Sequence, residues 1–209
     1  MLPTDYARAC RLLARRDPVI GALIREHGAC GLANAQHDDP FRALVQAIIS
    51  QQLSTKAART IGLRFTALFD GRPTPASVAS VPDEPLRGVG LSGQKLSYLR
   101  DLCAKVESGA LPLGALDALP DDEVVAALTQ VKGIGRWTAE MFLMFRLHRP
   151  DVLPVGDLGI VKAVEKAYRL RKTPSPERIT EIGEAWRPYR SVASWYLWAS
   201  LGTPPGQEQ

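Results

Sequence analysis

Cysteine is scarce. The 209 residues contain three, Cys10, Cys30 and Cys103, odd in number, far apart and without any C-x-x-C spacing. That pattern excludes a disulfide framework and a zinc site. It leaves reduced, mostly buried thiols in a cytoplasmic protein as the expectation. Long apolar runs are lacking too. The stretch from Ala43 to Ile49 is too short and too interrupted to span a bilayer, so no membrane partner is expected. The first residues, Met-Leu-Pro-Thr-Asp, carry no basic segment followed by an apolar core, so no secretion signal is read there. Strand signals are weak, because no stretch sustains apolar/polar alternation. Charge of one sign is in small excess: +4 permits nucleic-acid binding without demanding it. The 45% apolar and 23% charged residues match a globular chain and exclude disorder or a fibrous fold.

Helical spacing is what the sequence does contain. Leu12, Leu13, Val19, Ile20, Leu23 and Ile24 fit two short helices broken near Asp17-Pro18, where proline can open the second. Asp39-Pro40 opens another, with Phe41, Leu44, Val45, Ile48 and Ile49 on its apolar stripe. Ser54 is a candidate N-cap for the next, through Ile61, Phe65 and Leu68, and the Pro/Gly-rich stretch from Asp70 to Pro75 ends it. Further helices are expected over 92–106, 121–129, 137–147, 157–168, about 175–186 and about 188–200, with a frayed tail from Thr203. The sum is an all-α protein of about ten short helices.

The most informative segment is Leu128-Thr-Gln-Val-Lys-Gly-Ile-Gly-Arg-Trp-Thr-Ala139. One amphipathic helix ends, two glycines flank an isoleucine, and a second helix begins. Glycines there let the backbone turn tightly and approach a ligand without a Cβ in the way. Amides at the start of the following helix face outward as donors for an anion. Ile134 can point inward and lock the helices together. A lone Gly-x-Gly is equally an ordinary helix–helix turn with a glycine cap.

The full string is far more specific. Val-Lys-Gly-Ile-Gly-Arg-Trp-Thr-Ala resembles the helix–hairpin–helix motif of base-excision DNA glycosylases. The resemblance implies that Gly133 and Gly135 hold one DNA phosphate through their backbones, with Thr138 as a side-chain donor. It also implies a monovalent cation, Na+ or K+, on the carbonyls of Thr129, Val131 and Gly133. The family pattern continues with one aspartate in a Gly/Pro-rich turn that opens a helix, here Leu153-Pro-Val-Gly-Asp-Leu-Gly-Ile160, which makes Asp157 the expected catalytic residue. By itself Asp157 reads as an N-cap. The two roles are compatible, because a helix N-terminus favours an anion. Cutting a base from deoxyribose builds positive charge on the sugar, and a poised carboxylate stabilises that charge and orients water.

Two absences sharpen the reading. Bifunctional members of the superfamily carry a nucleophilic lysine right after the Gly-x-Gly-Arg stretch, where this chain has Trp137. No Schiff base is then expected. Some relatives hold an iron–sulfur cluster on four cysteines near the C-terminus, and no cysteine follows Cys103.

The branch is indicated by Trp186-Arg-Pro-Tyr-Arg-Ser-Val-Ala-Ser-Trp-Tyr-Leu-Trp198, which resembles the terminal helix of the DNA-3-methyladenine glycosylase II family. The resemblance implies that Trp137 and Trp198 form a base pocket, while Trp186 and Trp195 read as core. An indole face attracts a cationic methylated purine by about 2 kcal/mol when desolvated. Pro40 to Ser54 is a third match, and places Gln52, with Leu53 beside it, where relatives carry a wedge that fills the gap left by a flipped base; by themselves the two read equally as a helix-end polar residue and a core leucine. Gly90 to Leu99 also fits, without an assigned role. The resemblance spans about residues 5 to 201 and is to the short, purely helical form without the N-terminal α/β domain. Gly156 and Met141 depart from some members, at an acidic and an aromatic position. The three histidines, His27, His37 and His148, lie outside the matched motifs and read as surface or cap residues. The expectation is a single unit over 1–209, a two-lobed helical bundle with a cleft between the lobes and the hairpin at 128–139. It would act as a cytoplasmic monomer on double-stranded DNA. A non-catalytic DNA-binding module would need the hairpin but not Asp157, and a protein-interaction bundle would leave three motif matches to coincidence.

Overall fold

The computed structural model describes residues 5–34 and 39–202. The expected fraying from Thr203 and the reading of His37 fall outside the described residues. Within them the chain forms α1 (Tyr6–Arg16), α2 (Pro18–His27), α3 (Pro40–Ser50), α4 (Thr55–Ala67), α5 (Pro75–Ser80), α6 (Asp83–Gly88), α7 (Gly93–Glu107), α8 (Asp121–Thr129), α9 (Arg136–Phe145), α10 (Leu158–Ala167), α11 (Pro176–Gly183) and α12 (Arg190–Ala199). Three short 3-10 turns complete the set, at Gly31–Asn34, Leu113–Ala118 and Glu184–Trp186, and no strand is present among the described residues. The all-α expectation therefore holds, with more helices than the ten expected. None of them is long and apolar enough to cross a membrane.

Most helices begin where a short polar side chain meets the orphan amides of a first turn. Asp17 accepts from Val19 N and Ile20 N, Asp39 from Phe41 N and Arg42 N, and Ser54, Ser92 and Ser175 from amides three residues on. Two elements differ from the periodic reading. The helix expected over 175–186 ends at Gly183 and tightens into the 3-10 turn, which buries Trp186 completely. The last helix starts at Arg190 rather than at Pro188, with Tyr189 as its cap.

The chain divides into two compact units. One combines residues 1–36 with 143–209. Its axis is α12, buried at every position from Ser191 to Ala199. A helix apolar all round is a core helix, and α1, α2 and α10 pack on it. Asp17, only 6% exposed, ties this unit together. Besides capping α2, its Oδ2 accepts from Trp186 Nε1 at 2.9 Å and from the Tyr168 hydroxyl. The other unit spans residues 37–142 and is organised around α7, against which α3, α5 and α6 pack. Arg100 of α7 donates to the carbonyls of Val78 and Ala79 at 2.8 and 3.0 Å and to Asp83 at 2.7 Å, which satisfies the C-terminal end of α5. The helix α9 carries the chain from the second unit into the first.

Candidate functional site

In the unit of residues 37–142, α8 and α9 flank the glycine hairpin. Ile134 is 3% exposed and anchors the turn, and its amide donates to Val131 O at 3.0 Å. Gly133 has φ +79°, and a Cβ there would stand 2.1 Å from Cδ2 of Tyr98. Glycine is thus required twice, by the backbone and by the ring beneath it. Gly135 differs: its φ is not left-handed and a Cβ would meet nothing within 4 Å. Among the described residues nothing demands glycine at 135, which suits an approach from outside. Gly135 O takes the first helical bond of α9, from Ala139 N at 3.1 Å. Among the described residues the amides of Gly133 and Gly135 have no protein acceptor, so both remain available as donors. Thr138 lies in the first turn of α9 and is 7% exposed, whereas Trp137 beside it is 49% exposed.

Two contacts from α7 hold the hairpin, and a third links it to the loop after α3. Asp101 of α7 accepts from Lys132 N at 2.8 Å, and its carboxylate is paired with Lys105 Nζ at 2.8 and 2.9 Å. The ring of Tyr98 supports Gly133. Gln51 Nε2 donates to Gly133 O at 2.7 Å. The hydrogen bonds from Lys105 and Lys132 hold the Asp101 carboxyl below its usual range, although burial opposes them.

Two carbonyls of the candidate cation set already accept a hydrogen bond. Val131 O already accepts from Ile134 N, and Gly133 O from Gln51. A carbonyl oxygen has two lone pairs, so each keeps one for an ion. Thr129 O lies at the negative end of α8. Three neutral, hard oxygens fit a monovalent cation better than a transition metal.

The loop after α3 carries the candidate wedge. Gln52 is exposed with φ +57°, a left-handed conformation that costs about 1–2 kcal/mol outside glycine. Leu53 next to it is 38% exposed. A leucine and a strained glutamine presented at a helix end are not core packing.

In the other unit, Asp157 stands at the N-terminus of α10. Its Oδ1 accepts from Ile160 N at 2.8 Å, the capping bond, and from Trp198 Nε1 at 2.8 Å. The two donors fix the carboxylate's direction. Trp198 itself is 3% exposed and meets Phe145 at a ring-centroid distance of 6.1 Å. The resemblance assigned it a pocket face; the structure shows a buried indole whose N–H is held on the carboxylate. A Cβ at Gly159 would stand 2.9 Å from Asp157 Oδ1 and 3.0 Å from Trp198 Cδ1 and Nε1. The loop leading to Asp157 is also braced by α12. Ser191 Oγ donates to Arg149 O at 2.6 Å and accepts from Val152 N at 2.9 Å, while Arg190 binds Asp151 O at 2.7 Å.

The sequence pattern described as "HhH-GPD superfamily base excision DNA repair protein" matches residues 45–188, which include the hairpin and Asp157. The chain belongs to this superfamily. Within the HhH-GPD superfamily it is similar to DNA-3-methyladenine glycosylase 1 of Schizosaccharomyces pombe, at 37% identity over 163 residues, 77% of this chain and 72% of that protein. It is less similar to DNA-3-methyladenine glycosylase 2 of Escherichia coli, at 26% identity and 60% of that protein's length. Two solved structures share the fold of this HhH-GPD protein. One is the S. pombe 3-methyladenine DNA glycosylase in complex with abasic DNA, with TM-score 0.81 at 32% identity, covering 97% of this chain and 100% of that one. The other is a DNA-3-methyladenine glycosidase from Bacillus halodurans, with TM-score 0.85 at 38% identity, covering 97% and 92%.

Of the residues singled out in the sequence, Gly133, Gly135, Thr138, Trp137, Gln52, Leu53, Thr129 and Val131 fall in one unit, and Asp157 and Trp198 in the other. The structure joins Asp157 directly to Trp198. Sequence reasoning missed Gly159, Gln51, Tyr98 and Asp101. Only Gly159 had a signal: a glycine in the first turn of a helix costs about 1 kcal/mol against alanine and implies a packing reason. His27, the last residue of α2, and His148 are both half-buried.

Proposed function

We propose that this chain is a monofunctional DNA glycosylase of the alkylation-repair type. It flips 3-methyladenine and 7-methylguanine out of double-stranded DNA and hydrolyses their N-glycosidic bonds. The observation that carries the reading is the carboxylate of Asp157, fixed by the Ile160 and Trp198 N–H groups at a helix N-terminus. Its negative charge favours the transition state, in which positive charge moves from the alkylated base onto the oxocarbenium-like sugar, over the ground state, and it orients the attacking water. Alkylation at N3 or N7 makes the purine cationic, so the base leaves neutral and needs no acid. Trp137, half exposed, offers the cationic purine an indole face. The amides of Gly133 and Gly135, with Thr138, hold a phosphate and carry no sequence information. Gln52 and Leu53 fill the vacated stack. The carbonyls of Thr129, Val131 and Gly133 would hold a monovalent cation, whose charge adds to the attraction for phosphate. The reaction needs no other cofactor, and three cysteines cannot ligate a four-thiolate cluster. The similarity to DNA-3-methyladenine glycosylases of S. pombe and B. halodurans supports the substrate class. The resemblance of the terminal helix supports the type II branch, and the enzyme is proposed to act as a cytoplasmic monomer.

The test is a parallel assay on duplexes carrying 3-methyladenine, 7-methylguanine, hypoxanthine, uracil or 8-oxoguanine. Release of the methylpurines is expected. Strong release of uracil or 8-oxoguanine with inert methylpurines would overturn the assignment. In the same reactions borohydride should trap no covalent adduct, because Trp137 stands where a Schiff-base lysine would.

A further inference from the structure

Two features used by the proposed function rest on one helix. Asp101 of α7 holds the hairpin through Lys132 N at 2.8 Å, and Tyr98 of α7 lies against Gly133. Lys95, also on α7, donates from Nζ to Ile49 O at 2.7 Å, in the last turn of α3 before the Gln52–Leu53 tip. Lys95, Tyr98 and Asp101 are spaced by three and so are neighbours along the helix surface. Partial burial lowers the pKa of the Lys95 ammonium. A direct link closes the arrangement: Gln51, the residue before the tip, binds Gly133 O at 2.7 Å.

We propose that Gln51, Lys95, Tyr98 and Asp101 are positioning residues that mount the phosphate-holding hairpin and the Gln52–Leu53 tip as one body, so that capture of a phosphate sets the tip for insertion into the base stack. The proposal rests on the function stated above. Each end has its own support: Tyr98 and Asp101 hold the hairpin, and Lys95 holds the end of α3. Gln51 bridges them. Removing its amide therefore leaves both ends in place and breaks their alignment. Gln52 sits at φ +57°, a conformation that its neighbours must impose, and Gln51 is the neighbour with a partner outside the loop.

The test uses the full chain and Gln51→Leu, which keeps the bulk and loses the donor. The probes are a duplex with 2-aminopurine beside a tetrahydrofuran abasic analogue, and an undamaged duplex of the same sequence. Gln51→Leu should bind undamaged DNA like the unaltered protein. It should lose about five-fold in affinity for the analogue and in the fluorescence rise that reports unstacking, the factor of one ordinary hydrogen bond. With the tip cut back by Gln52→Ala and Leu53→Ala, Gln51→Leu should have no further effect, which a merely structural role would not produce. The proposal is overturned if Gln51→Leu unstacks bases normally, if it weakens undamaged binding equally, or if its cost persists without the tip. If the unaltered protein neither binds DNA nor relieves the quenching of 2-aminopurine, the proposed function falls, and the mount with it.

Discussion

A single methyl group added at Gly159 should separate catalysis from folding. Gly159 is the second residue of α10, and its φ is not left-handed, so alanine fits the backbone without strain. Helix propensity favours alanine there by about 1 kcal/mol. The new Cβ, however, would stand 2.9 Å from Asp157 Oδ1 and 3.0 Å from Trp198 Nε1. Comfortable non-bonded separations are about 3.5 Å, so carboxylate and indole must recede by about half an ångström. Trp198 is 3% exposed and has little room to move, so the 2.8 Å bond to Asp157 takes the displacement. A hydrogen bond to a charged group contributes about 1.5–3 kcal/mol. If that is lost from the transition state, the rate falls by about 10- to 100-fold. The propensity gain offsets part of the structural cost, so the melting temperature should change by only a few degrees, at about 2–4 °C per kcal/mol for a chain of this length. The assay is single-turnover release of 7-methylguanine, with melting and binding to an abasic duplex as controls. Trp198→Phe keeps a ring and removes the N–H. It should cost a similar factor, and the double variant less than the product, since both act on one bond. Wild-type excision by Gly159→Ala would refute the reasoning.

Asp157→Asn should abolish base excision, by at least about 100-fold, while DNA binding persists, because asparagine caps a helix as well as aspartate does; near-normal release would remove Asp157 from the chemistry. Gly135→Asp should weaken binding to every duplex alike by setting a like charge against the phosphate, and a loss confined to lesion DNA would contradict the clamp. Burial pushes the Cys30 thiol up to about 12 and the Cys103 thiol up to about 11. Raised folded pKa values mean that their contribution to stability is complete below the ordinary thiol value of about 8.5 and is lost as pH climbs towards 11 to 12. Denaturant titrations should show stability falling above about pH 9, and a thiol reagent at about pH 8 should reach the half-buried Cys10 first. Equal labelling of all three would show the two buried thiols to be open.

Much of the helical framework was legible because helix starts are local events. Asp17-Pro18, Asp39-Pro40, Ser54 and Ser92 act within three residues of themselves, and each caps a helix where the sequence placed one. The helices α5 and α6 were missed because six residues are too few to show a period, and the Thr74–Ser77 capping box sits in a stretch that reads as a turn. The hairpin was legible because its glycines, isoleucine and flanking helices are contiguous. The grip on Asp157 was not, since Trp198 lies 41 residues away and its N–H partner depends on how α10 meets α12. Asp101 was equally hidden: a charged residue on an amphipathic helix reads as solvated until its partner, the backbone of Lys132, is brought to it.

One unit is built from both ends of the chain, residues 1–36 and 143–209, with the other unit inserted between them. During synthesis α1 and α2 emerge before the inserted unit but cannot finish folding until the second segment of their own unit follows. Their packing partner α12 and the Trp186 indole, which donates to Asp17, are made only after the inserted unit. The inserted unit, contiguous in sequence, can fold meanwhile. A chain stopped after residue 142 would keep the glycine hairpin and lack Asp157 altogether. Under the proposed function such a fragment would occupy DNA without repairing it.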